Sequence, residues 1–289
     1  MDTQTFPNTF VDTNKSISSV LVSVLKPTLF LFLLWFPLAY MQLFLHEGGH
    51  ALVHLINGAR VTLFYVHPFS FVGYVRPMFD YYNVWVHVSG TIVEILVSIT
   101  IFTLLWKHRS FYTLPFLMIF PWIGVYDGIG GMVDKTGDFH NLVIITGMSE
   151  NILHGFDIVL AVVGIFFFLS LLPKLGLAPE DKKSLFVLPV SMLLYSLVGL
   201  AIAHLLVPGS LADVRYHLEE EILVSAKYRP LFSLVGVLLS VIYMTVYRWV
   251  YKKLPAGLRM EKVNLSWRDL SYPGLLFTIS MILGIIVIQ

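Results

Sequence analysis

Apolar residues in this chain come in long blocks, with polar residues confined to the intervals between them. A helix needs about 20 mostly apolar residues to cross a hydrocarbon core. Seven blocks meet or approach that length, at about 20–56, 84–106, 112–133, 158–172, 185–207, 231–251 and 275–288. The first is interrupted by Pro27 and Pro37 and ends at Asn57-Gly58, a helix stop. At about 1.5 Å per residue it is longer than a bilayer core is thick. A short leading helix, a kink or a strong tilt is therefore expected. The third block carries Pro115, Pro121 and several glycines. It predicts irregular backbone, which membranes tolerate where protein or a water-filled cavity satisfies it.

The intervals have their own patterns. From Ala59 to Tyr82, β-branched and aromatic residues surround His67-Pro68 and Gly73, which predicts short strands or a re-entrant hairpin. Asp134 to Leu153 is polar, with a helical stretch starting near Asp138. A charged loop runs from Pro173 to Lys183, Glu219, Glu220 and Glu221 form a solvated face, and a basic loop holds Lys252, Lys253, Arg259, Lys262 and Arg268. No repeat or low-complexity tract is visible. The predicted fold is an all-α polytopic membrane protein of about 6–8 transmembrane helices, with a hairpin after the first block. It divides into a polar tail (1–16), a core (17–157) and further transmembrane helices (158–289).

Composition agrees with lipid as the solvent. Hydrophobic residues make up 57% of the chain and charged residues 13%, against roughly 45–50% and about 25% in soluble domains. The 15% of aromatic residues suits interfacial belts. A net charge of +1 gives no electrostatic reason to bind nucleic acid, and the absence of cysteine excludes disulfides and thiolate metal sites. The polar N-terminus lacks a basic leader region and a small-residue cleavage site, so the first block is expected to be a permanent anchor. With seven spans, loops on the N-terminal side carry roughly 13 Lys/Arg and the other side roughly 6, which favours a cytoplasmic N-terminus. If the first block crossed twice, all later loops would exchange sides.

One constellation carries chemistry. His46-Glu47-Gly48-Gly49-His50 lies near the end of the first block. Two His four residues apart share a helix face about one turn apart, so both can hold one tetrahedral zinc. Glu47 between them can reach a water on that zinc as general base. Gly48 and Gly49 leave one side open to a close-approaching backbone. Ionisable groups are costly within a span, which favours a functional reading over a merely wet helix end.

The segment from His46 through Val53, followed by Asn57-Gly58-Ala59-Arg60-Val61, resembles the site-2 protease family of intramembrane zinc metallopeptidases. The likeness is to the compact prokaryotic branch without extra soluble domains, and it covers roughly residues 30 to 155. In that family the HExxH helix is followed by a Gly-rich turn and a short β-hairpin. A later helix brings a small-residue Gly-Pro-x-x-Asn stretch near the zinc; here Ser89-Gly90-Thr91-Ile92-Val93-Glu94 has Thr91 for Pro and Glu94 for Asn. The resemblance implies a third ligand, an Asp opening a downstream helix. Asp138, followed by a short helix and Thr146-Gly147, is preferred; Asp127, in Asp127-Gly128 after Pro121, is the alternative.

Other polar residues are candidates to support the ligands. His54 continues the face of His46 and His50, and His87 and Glu94 lie two turns apart on the second span. His140 and Asn141 follow Asp138. The expected function is zinc-dependent intramembrane proteolysis with Glu47 as catalytic base, Zn2+ as cofactor, and a membrane-protein substrate that enters from the bilayer of a prokaryotic cell membrane. Two other enzyme classes fit less well. A prenyl-protein-type protease would draw its third ligand from a helix that only Glu150 could supply, and the histidine boxes of a di-iron oxygenase are absent. The non-enzymatic alternative is a transporter or scaffold with a structural or transit metal site.

Overall fold

A computed structural model describes residues 17–67, 73–78, 84–133, 138–203, 233–255 and 259–285. The tail, the Glu219–Glu221 run and His204 lie outside them. The chain is an all-α membrane protein with one small sheet. Its helices are α1 (Ile17–Ile56), α2 (Val84–Leu105), α3 (Leu114–Val133), α4 (Asp138–Thr146), α5 (Glu150–Leu171), α6 (Ser184–Ala203), α7 (Ser233–Lys253, with a π turn at Tyr243–Tyr247) and α8 (Ser271–Ile285). Among the described residues, α1, α2, α3, α5 and α7 are long and apolar enough to cross a membrane; α6 carries a shorter apolar stretch, Ser184–Gly199. Strands β1 (Val61–Val66) and β2 (Gly73–Pro77) form an antiparallel hairpin between α1 and α2, with Val66 opposite Gly73 and Phe64 opposite Val75.

The first block is one helix of 40 residues that runs through both prolines. A proline removes one helical hydrogen bond, a loss that packing against neighbouring helices can outweigh. Next to Pro27, the Thr28 hydroxyl donates to the Val24 carbonyl at 2.8 Å, within the helix's own ladder. Pro37 lies in a segment enclosed by other helices, from Phe30 to Ala39. The helix stops where the sequence predicts. Gly58 takes φ +78°, and the Ala59 N–H reaches back to the His54 carbonyl at 3.0 Å, which satisfies an end carbonyl.

Helix α3 corrects the expectation of irregular backbone, because Leu114–Val133 is continuous. Pro115 sits in its first turn, where the missing N–H has no helical partner to lose. Its glycines serve packing instead. A Cβ at Gly124 would overlap the backbone of Gly164, and one at Gly128 would overlap Ala161, so α3 and α5 approach nearly backbone to backbone. Helix α5 starts at Glu150, two turns before the predicted span, and crosses residue 157, the expected edge of the core. The acid in its first turn suits the helix dipole.

At the centre, Trp35 of α1 lies against Trp122 of α3 (centroids 4.9 Å apart) and Phe168 of α5 (5.8 Å), and donates to Ser191 of α6 at 3.2 Å. Phe36 meets Tyr195 of α6 and Phe277 of α8 edge-on. Helix α1 is thus the axis on which the others pack. Replacing Gly124 with Leu is expected to force α3 and α5 apart and to cost about 1–3 kcal/mol, the usual scale for overpacking. A lowered thermal midpoint of the detergent-solubilised protein, with Gly155→Leu as a control where a Cβ meets nothing, checks this.

Candidate metal centre

Helical spacing puts His46 and His50 on one face of α1, their ring centroids 4.8 Å apart. Asp138, the first residue of α4, closes the set. Its Oδ2 lies 2.9 Å from His46 Nε2 and 3.0 Å from His50 Nε2. Among the described residues this is the one group of three or more His, Asp or Glu whose ligand atoms all lie within 4.8 Å of one another. Tetrahedral ligands at zinc distances stand about 3.3 Å apart, and the two His–Asp edges are slightly shorter than that. Burial alone would raise the Asp138 carboxyl. Its contacts with the two imidazoles more than offset that and hold it well below the ordinary carboxylate range.

The outer edges of both rings are also engaged. His50 Nδ1 lies 2.5 Å from the Val86 carbonyl, with the Ser89 hydroxyl at 3.5 Å. His46 Nδ1 lies 3.4 Å from Glu94 Oε2. A carbonyl can only accept, so His50 Nδ1 must carry the proton. If the ring is neutral, its Nε2 lone pair faces Asp138, as a metal ligand's must; if it is doubly protonated, Nε2–H donates to the carboxylate instead. The donor set of two His and one Asp is one that suits zinc.

Two glycines make the arrangement possible. A Cβ at Gly49 would overlap the Ser89 carbonyl, and a Cβ at Gly90 would lie against Nε2 of both His46 and His50. The backbone of α2 therefore forms one wall of the space into which the ring nitrogens point. The hairpin forms another. Glu47 is buried, at 8% exposure, and a Cβ at Gly73 of β2 would overlap its carboxyl group. Glu47 also interacts electrostatically with His50.

The remaining candidates separate. Asp127 is not in the group; it faces inward from α3, where its Oδ1 accepts from Gln42 Nε2 at 2.7 Å. Glu94 is 1% exposed and touches both His46 and Asp127. His54 is buried further along α1, and His87 is half-buried on α2; neither joins the group. The side chains of His140 and Asn141 lie outside the described residues. Glu150 is exposed at the start of α5 and is not in the group.

Ser89 belongs to the stretch that the family resemblance put near the site, and it stands beside His50 and Gly49. Gln42 and Gly73 were not anticipated as neighbours. Gln42 left a signal, since it stands one helical turn before His46 on the same face. Gly73 left none, because its proximity depends on how the hairpin docks.

Gly90→Ala should weaken zinc binding by roughly tenfold or more, the scale on which disturbed metal surroundings act. Gly155→Ala, with open space around its Cβ, should bind as the parent does. Zinc per protein after dialysis against a buffered series of free zinc concentrations measures both.

No protein-family model, curated protein or solved structure matches this chain, so its function is argued from the geometry of the site.

Proposed function

We propose that this chain is a zinc-dependent intramembrane endopeptidase of the site-2 protease type. The observation that carries the proposal is the convergence of His46 Nε2, His50 Nε2 and Asp138 Oδ2 on one point beside Glu47. Zinc, when bound there, supplies Lewis acidity and makes water acidic enough to attack a peptide carbonyl near neutral pH. His46, His50 and Asp138 are its ligands. Glu47 takes a proton from the attacking water and returns it to the leaving amine nitrogen. The side chains of His46 and Asp138 are 26% and 22% exposed, although the Oδ2 that faces both rings is itself shut off from solvent. Among the described residues no fourth His, Asp or Glu joins the three, which favours a hydrolytic site over a structural one closed by four protein ligands.

Depth bears on the substrate. Ser89 and Glu94 lie five and ten residues into α2, or roughly 8 and 15 Å along its axis. These depths favour a substrate bond within or close to the membrane, in a transmembrane or membrane-proximal segment of another protein. Such a segment must be extended to be cut, and the hairpin over Glu47 offers strand edges that could hold it. With α1 a single helix, the ends of the helices farthest from the site share one face. That face collects most of the Lys and Arg residues, including Lys26, Lys107, Arg109, Lys252 and Lys253. The positive-inside rule makes it cytoplasmic and puts the site nearer the opposite face of a multi-pass protein. A prokaryotic cell membrane is the setting that the family resemblance suggests.

Glu47→Gln is expected to bind zinc as the parent does and to cleave a membrane-embedded reporter peptide about 10²–10⁴-fold more slowly, the usual contribution of a general base. His50→Ala should lose the zinc. Parent-like cleavage by Glu47→Gln, with zinc bound, would sink the proposal.

A further inference from the structure

Behind the three candidate ligands, a second polar layer runs through the membrane-embedded part of the bundle. Gln42 of α1 donates to Asp127 Oδ1 of α3 at 2.7 Å, the carboxyl groups of Asp127 and Glu94 meet, and Glu94 Oε2 lies 3.4 Å from His46 Nδ1. Gln42 is 4% exposed and Glu94 1%, and Asp127 Oδ2 and both Glu94 oxygens are shut off from solvent. Two carboxyl groups at this depth are costly, and the proposed hydrolysis uses neither.

We propose that Glu94 sets the tautomer and orientation of His46, and that Asp127 and Gln42 hold Glu94 in position to do so. The inference rests on reading His46 as a metal ligand. A neutral imidazole donates through one nitrogen and accepts through the other. Glu94 Oε2 stands 3.4 Å from Nδ1, the ring edge turned away from Asp138, without a closed hydrogen bond; as the acceptor on that edge it favours the proton there and leaves the Nε2 lone pair toward the ligand set. The Val86 carbonyl does the same for His50. One ring is thus set by backbone and the other by a buried carboxyl group.

The pairing with Asp127 explains how that carboxyl group is held. Two carboxylates are both acceptors and meet favourably only with one proton between them. Asp127 takes the Gln42 N–H on Oδ1 and turns Oδ2 away from that bond. One proton shared by the pair lets them meet while Glu94 still offers an oxygen to His46. A glutamine at position 94 keeps an oxygen for His46 and brings an N–H for Asp127, whereas alanine keeps neither.

The experiment uses the full chain in detergent micelles or nanodiscs, with zinc affinity measured by chelator competition and ligand geometry by the visible absorption bands of Co2+. Glu94→Ala is expected to weaken zinc about 10–100-fold and to shift the Co2+ bands, as loss of a ligand-orienting partner does. Glu94→Gln should stay within about threefold of the parent with unchanged bands, a rescue that follows from its ability to make both bonds. Asp127→Leu, which leaves Glu94 present but unheld, should shift the bands as Glu94→Ala does. Parent-like affinity and bands in Glu94→Ala would overturn the inference while leaving the metal reading intact. So would equal losses in Glu94→Ala and Glu94→Gln. A parent that binds no stoichiometric zinc would overturn both together.

Discussion

Two imidazoles and a carboxylate aimed at one point in a helical bundle are the constraint on which this structure turns. Asp138 Oδ2 sits 2.9 and 3.0 Å from two imidazole nitrogens, and each ring has a further acceptor on its other edge. So many acceptors in one place need positive charge among them, from protons on the rings or from a metal ion. In water such a cluster would fall apart at little cost. Inside a membrane protein each group would then lose its partners in a medium that offers no replacements. The same constraint explains the spacing of the motif, because only residues one turn apart can bring two rings to one carboxylate oxygen.

Meeting that constraint sets terms for the packing. Side chains long enough to reach each other would ordinarily hold helices 8–10 Å apart. At Gly49 and Gly90, α1 and α2 come closer than any side chain permits, and α2 backbone supplies both a wall and the Val86 carbonyl. The contact of α3 with α5 through Gly124, Gly128 and Gly164 follows the same rule without any chemistry attached. Glycine therefore has two meanings in this chain. On α3 it makes a tight scaffold, and at Gly49, Gly90 and Gly73 it admits backbone to the site.

Much of this was legible in the residues. Hydropathy located the helices, Asn57-Gly58 marked the end of α1, and β-branched and aromatic residues marked the hairpin. The i, i+4 spacing put His46 and His50 on one face, while Asp138 came from the family resemblance rather than from any pattern in the residues. Other features were hidden for physical reasons. Pro27 and Pro37 suggest a break when read locally, yet tertiary packing keeps α1 continuous. The first two turns of α5 are polar, so an apolar count misses them. Nothing local separates Asp127 from Asp138. The difference is that α3 turns Asp127 inward to Gln42, while α4 begins where the two rings open.

The continuity of α1 has a further consequence. Residues 35, 39, 42, 46 and 49 recur at helical spacing, so the face that buries Trp35 and Ala39 also presents Gln42, His46 and Gly49. The aromatic layer of Trp35, Trp122, Phe168 and Tyr195 fixes the rotation of α1 by shape. A regular helix carries that rotation along its axis with little slack, because each residue's angle follows from its neighbour's. A break at Pro37 would have uncoupled the dry layer from the polar one. Unbroken, the helix lets an apolar core about three turns away decide where His46 and His50 point, so the geometry of the two rings is set by packing that touches neither of them.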